Sequence, residues 1–278
     1  MEYLHLFKTK TEHDSFYGGN KYKEPWLAYT RDNTLVTGNK SYDYYRNEYL
    51  TIEVLDDSGD ITITIPSGID STCATSLSYS KDKLNWTPVT VDSTDQTISI
   101  SVSGGDNVYL KGEAIRWGGK GFGTHIQSSA NFTASGNIMS LLYGDDFEDK
   151  TSFRAGSEYT FLYLFINNPH LINAENLILP ATKLVSYCYY SIFYNCTSLT
   201  TAPTLPATTL TQQCYSSMFH DCTSLNNITM FATDISALHC LRNWVKGVAS
   251  TGTFTKASSA SIPSGASGIP SGWTVKDK

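Results

Sequence analysis

From Tyr49 onward, apolar and polar residues alternate strictly through YLTIEVLD, GDITITIP, SLSYSKDKLNWTPVTV, QTISISV and NVYLKGEAI. A period of two puts successive side chains on opposite faces of a strand, and β-branched residues fill many of these positions. Turn-forming residues interrupt the pattern at 57–60, 81–85 and 104–107, so these stretches predict antiparallel strands with one solvated face. Residues 47–138 are therefore expected to form a β-sandwich with Leu77, Tyr79 and Trp86 in its core. Pro88 has no N–H to give a ladder and belongs on an edge.

Residues 1–46 carry no stripe of period 3.6. Tyr17, Tyr22, Trp26, Tyr29, Tyr42, Tyr44 and Tyr45 are spread among Gly, Asn, Asp and Lys, which predicts an extended arm or short strands. Such rings need a surface to bury them. Either the following domain or an assembly partner can supply it, so the segment is read as an assembly arm with packing within the chain as the alternative.

The strongest internal signal lies further on. LPATKLVSYCYYSIFYNCTSLTTAPT begins at Leu179 and LPATTLTQQCYSSMFHDCTSLNNITM begins 26 residues later at Leu205, with most landmark residues in register. A weaker third unit begins at Phe231, matching at Cys240, Leu241 and Val245, and FINNPHLINAENLILPA reads as an opening unit before the first. A period of this length means that each unit lies against the next, because one unit cannot bury its own apolar face. The expected core is Leu184, Cys188, Phe193, Cys196 and Leu199, then Leu210, Cys214, Phe219, Cys222 and Leu225, then Cys240. Within a unit, Leu184, Cys188 and Phe193 or Ile192 are assigned to a short helix and Leu199 and Leu205 to extended connections, with Pro180, Pro203 and Pro206 forcing bends.

The sequence Phe193, Cys196, Thr197, Ser198, Leu199, Thr200, followed by LPATTL, resembles the BspA-like leucine-rich repeats of bacterial surface proteins. Closely similar tandem units occur in proteins of gut Bacteroidales and of the phages that infect them. The resemblance covers residues 160–249. It implies a curved stack of short strands and helical segments used for adhesion or recognition. The expected fold is mainly β with short helices: a sandwich over 47–138, a solenoid over 139–249 and a Ser/Gly-rich cap over 250–278, where Phe254, Trp273 and Val275 close the exposed end. Ala232 in place of Pro206 and Val248 in place of Cys222 suit a terminal unit.

Composition narrows the function. Only 17% of the 278 residues are charged and the net charge is −6, with no basic run, so duplex phosphates have little to bind. No stretch approaches the ~20 apolar residues of a membrane span, and MEYLHLFKTKTEHD lacks the features of a secretory leader. Cytoplasmic synthesis, and six cysteines held as thiols, are the expectation.

No cofactor, metal or catalytic site is expected. Cys188, Cys214 and Cys240, like Cys196 and Cys222, recur at the repeat period and read as two buried columns; disulfides between units are left open, and Cys73 reads as an isolated core residue. The run Gly118, Gly119, Lys120, Gly121, Phe122, Gly123, Thr124 lacks the order of a phosphate loop and reads as a sheet-edge loop. His5, His13 with Asp14, His125, His170, His220 with Asp221, and His239 form no zinc or triad motif. The acidic turns Asp56, Asp57, Asp60 and Asp145, Asp146, Glu148, Asp149 lack the ligand order of a calcium loop.

Aromatic residues are the binding candidates. Tyr187, Tyr189, Tyr190 and Tyr194 crowd the first full unit, and Gln213, Tyr215, Ser217 and His220 are taken to stand at the corresponding places of the second. Outward rings stack on sugars or anchor proteins, so Trp117, Tyr187, Tyr190, Tyr194 and His220 are candidate contacts.

The resemblance and the arm together imply a non-enzymatic bacteriophage virion component of the tail, fibre or baseplate. Its partners would be other virion subunits, copies of itself and a bacterial surface glycan or protein. A secreted or cell-surface bacterial adhesin is the alternative, and a surface glycan hydrolase a third.

Overall fold

The computed structural model describes residues 27–29, 35–37, 45–55 and 57–278. A first hairpin pairs β1 (Leu27–Tyr29) with β2 (Leu35–Thr37). The alternating stretches become β3 (Leu50–Val54), β4 (Gly59–Ile65), β5 (Ala74–Ser80), β6 (Thr87–Val89), β7 (Gln96–Val102) and β8 (Asn107–Ala114). After them come β9 (Gly118–Gly119), β10 (Phe122–Gly123), β11 (His125–Ser128) and β12 (Phe132–Asn137).

Consecutive strands do not all pair. One sheet runs β6-β5-β8-β3-β12 and a smaller one β11-β4-β7, so the turns after β3 and β7 carry the chain from one sheet to the other. Leu50, Ile52, Val54, Val108 and Leu110 of the larger sheet are buried in one cluster with Ile61, Ile63, Ile65, Ile100, Val102 and Ile126 of the smaller. Pro88 lies on the edge strand β6, where no partner needs its missing N–H. Leu77 is buried, whereas Tyr79 and Trp86 are half-buried, so the latter is a cover rather than a core residue.

β12 is the seam of the molecule. It is antiparallel to β3 on one side and parallel on the other to β13 (Leu171–Asn173) and β14 (Leu177–Ile178). Gly136, at φ +76°, lets it pass: a Cβ there would stand 1.9 Å from the Tyr49 carbonyl oxygen. A short helix, α1 (Ser140–Tyr143), is pinned beside it, since Ser140 Oγ accepts from Leu50 N and donates to Leu110 O.

From β13 onward the strands pair in parallel. Thr200 N donates to Ile172 O and Asn226 N to Thr200 O, and β15 (Asn227–Met230) then pairs with β16 (Thr253–Lys256) and β16 with β17 (Thr274–Asp277). The described residues are mostly β, with mixed parallel and antiparallel sheet and little helix.

The short helix expected in each unit does not form. Its place is taken by a run of β-turns in which alternate N–H groups have different destinations. Tyr190, Ile192 and Tyr194 donate back three residues within the unit, while Tyr187, Tyr189, Ser191, Phe193 and Asn195 donate to Gln212, Cys214, Ser216, Met218 and His220 of the next unit. An α-helix spends its N–H groups internally, so it could not bond to its neighbours in this way. The exchange needs a left-handed residue at every fourth position: Tyr187, Ser191, Asn195; Gln213, Ser217, Asp221; His239, Asn243, Gly247.

The tail also differs from expectation. It does not merely lie over the end of the stack, because β16 and β17 continue the parallel ladder in register Asn227–Thr253–Thr274. Phe254 and Trp273 are buried as expected, and Trp273 Nε1 and Trp244 Nε1 donate to Ala249 O and Gly268 O, both at 2.7 Å. Val275 does not close the end: it lies on the outermost strand, 45% exposed.

Candidate functional site

The units align inward side chains in columns. Phe165, Phe193 and Phe219 stack at centroid separations of 5.6 and 5.5 Å, and Trp244 closes that column. Phe161, Tyr189 and Tyr215 form a second. Leu184, Leu199, Leu210 and Leu225 are buried with them. Tyr189 brings its hydroxyl into the core without a hydrogen-bond partner, and burial pushes its pKa well up.

All six cysteines are buried free thiols. Cys196 Sγ donates to Phe165 O and Cys222 Sγ to Phe193 O, so each thiol satisfies a carbonyl of the preceding unit. Burial pushes Cys196 and Cys214 up to about 12 and raises Cys188 and Cys222 well above the ordinary thiol value. These are poor nucleophiles, and the columns are structural.

The opposite side of each turn run faces outward, with Tyr187, Tyr190, Tyr194 and His220 half-buried along it. Each of these rings already has an aromatic neighbour. Tyr187 stacks on Tyr159 at 4.5 Å, Tyr194 on His220 at 4.9 Å, and Tyr190 meets Tyr163 edge-on. The faces expected to receive a sugar are therefore turned along the stack, leaving ring edges and hydroxyls outward. Tyr187 OH accepts from Gln213 Nε2 at 3.0 Å and Gln212 Nε2 at 3.4 Å. His220 has a side chain only 13% exposed, beside Asp221.

The other candidates are dispersed. Trp117 is 1% exposed and donates through Nε1 to Leu141 O at 2.7 Å; it is a core anchor and not a ligand contact. Ser217 is not the partner of Tyr190 across units: Ser191 aligns with Ser217, and Ser216 with Tyr190. In the arm, Tyr45 is buried with its hydroxyl accepting from Asn176 Nδ2 at 3.1 Å, so this ring packs within the chain. Tyr29 lies on β1. Tyr17, Tyr22, Trp26, Tyr42 and Tyr44 lie outside the described residues, as do His5, His13, Asp14 and Asp56.

The glycine run forms the β9–β10 hairpin, held against the opening unit: a Cβ on Gly123 would stand 2.1 Å from Leu162 O. Asp145 accepts from Tyr49 OH at 2.7 Å and Lys111 Nζ at 2.9 Å, which gives that acidic turn a structural anchor. Among the described residues, no three His, Cys, Asp or Glu side chains gather as a metal site, and no helix is long and apolar enough to cross a membrane. His125 is half-buried, and burial lowers its pKa. His170 Nδ1 lies 3.3 Å from Asn131 Oδ1.

The residue-by-residue reading missed the cations of the third unit. Arg242 aligns with Tyr190 and Lys246 with Tyr194, two repeat periods on, and that register was the signal that could have found them. No family model, curated protein or solved structure matches this chain.

Proposed function

We propose that the chain is a non-enzymatic structural and recognition protein in which a β-sandwich carries a short solenoid of BspA-like leucine-rich repeats closed by its tail. The observation that supports this reading best is the inter-unit ladder. It repeats one backbone exchange through successive units and holds Tyr187, Tyr190, Tyr194 and their in-register successors on one outward face. Such a face suits binding by shape and hydrogen bonding without bond cleavage.

The proposed setting is a bacteriophage virion, as a tail, fibre or baseplate-associated component, in contact with other subunits and with a bacterial surface glycan or protein. The test is to raise antibodies to the purified chain, locate it by immunogold on phage particles and on bacterial surfaces, and measure binding of the labelled protein to Bacteroidales cells. Gold on particles together with cell binding supports the virion reading, and gold on bacterial envelopes alone moves it to an adhesin. Labelling of neither, with no cell binding, overturns both.

A further inference from the structure

The outward columns change character along the stack. The first full unit presents Tyr187, Tyr190 and Tyr194; the third presents His239, Arg242 and Lys246 in the same register. The ladder fixes that alignment, with Ser217 N donating to Arg242 O at 2.9 Å and Asp221 N to Lys246 O at 2.7 Å. All three distal residues are exposed, and among the described residues neither Arg242 nor Lys246 has an ion-pair partner.

The cations are also segregated. From Phe231, where the third unit begins, the chain holds Arg242, Lys246, Lys256, Lys276 and Lys278 against Asp234 and Asp277, the latter paired with Lys256, in a chain whose net charge is −6. The exposed Arg242 and Lys246 attract an anion locally. Between the tyrosines and the cations lie Gln212, Gln213 and the Tyr187 hydroxyl, amide and hydroxyl groups that both donate and accept. Ring faces are stacked along the axis, so this surface reads a ligand by hydrogen bonds and charge. Successive units are about 4.8 Å apart, as adjacent strands are.

Building on the recognition function proposed above, we infer that this face binds a carboxylated polysaccharide lying along the stack. Sugar hydroxyls would meet Tyr187, Gln212 and Gln213, and carboxylates would meet Arg242, whose planar guanidinium suits two-point pairing, and Lys246.

Polygalacturonate is the probe, with neutral dextran and phosphomannan as comparisons, and affinity electrophoresis of the full chain as the readout. Retention is expected on polygalacturonate and to weaken with added salt. R242E/K246E should weaken it at least tenfold, R242Q/K246Q by less, and K120E, on the β9–β10 hairpin, not at all. An unchanged thermal midpoint shows that each variant is folded. No retention on polygalacturonate, equal retention on dextran, retention on phosphomannan alone, or full retention by folded R242E/K246E would each overturn the site. Cell binding that survives any of these outcomes leaves the recognition function standing on another surface.

Discussion

Tyr187, Gln213 and His239 share a left-handed backbone state that ordinarily costs an L-residue about 1–2 kcal/mol. At Tyr187 and Gln213 the ladder holds it in place by giving the N–H an acceptor in the following unit, Gln212 O and Leu238 O, so the cost is met by a bond a helix could not make. At Ser217, φ 53°, a β-branched side chain fits worse than serine. Ser217→Val is expected to lower stability by about 1–3 kcal/mol, while Ser217→Gly should be close to neutral, as urea titrations will show. The stacked rings respond to lost packing instead: Phe219→Ala, leaving a void between Phe193 and Trp244, should cost about 3–5 kcal/mol. The thiols govern the pH dependence. Their folded pKa values lie above the ordinary 9.0, so their stabilising contribution is intact below about pH 9 and is lost as pH rises toward 12. Each contributes a slope of about 1.4 kcal/mol per pH unit in that window. Urea midpoints should therefore be flat from pH 7 to 8.5 and fall steeply by pH 10.5, and Cys196→Ala should reduce the fall.

At the scale of elements, what was legible in the sequence followed from which signals are local. Alternation placed β3 to β8, because a half-buried strand imposes a period of two on its own residues. Identity between units placed the Phe193–Phe219 and cysteine columns. The turn run was hidden because most of its left-handed positions carry Tyr, Gln, His and Ser, while Asn195, Asp221, Asn243 and Gly247 belong to types that favour that state. The tail strands were hidden because they lack the Leu-Pro signature, although Thr253-Phe-Thr-Lys and Thr274-Val-Lys-Asp repeat the alternation of Asn227-Ile-Thr-Met. The outward cations were legible only through the repeat register, which depends on the whole stack and not on their neighbours. Since β17 continues the ladder, removing residues 273–278 should uncover Phe254 and delete the Trp273–Ala249 bond. The truncated protein is expected to melt several degrees lower and to bind a hydrophobic dye.

In the whole molecule, the repeats do not begin at a boundary. The opening unit gives Thr160 O to Trp117 N and Leu164 O to Ile126 N, and β12 pairs with strands on both sides of the seam. One buried apolar cluster runs from Leu50 to Trp273. A fragment of residues 139–278 would lack the partners of its first unit and should fail to fold, whereas the full chain should unfold in one transition by both far-ultraviolet dichroism and tryptophan fluorescence. Two separated transitions would show that the stack and the sheets melt independently. The same ladder bears on inheritance. Each unit offers its neighbour the acceptors it receives itself, so duplicating 26 codons would insert a copy whose two faces already fit, lengthening the protein by about 4.8 Å while leaving both ends unchanged. Gain or loss of a whole unit would then make the reach of the molecule a trait adjustable one step at a time.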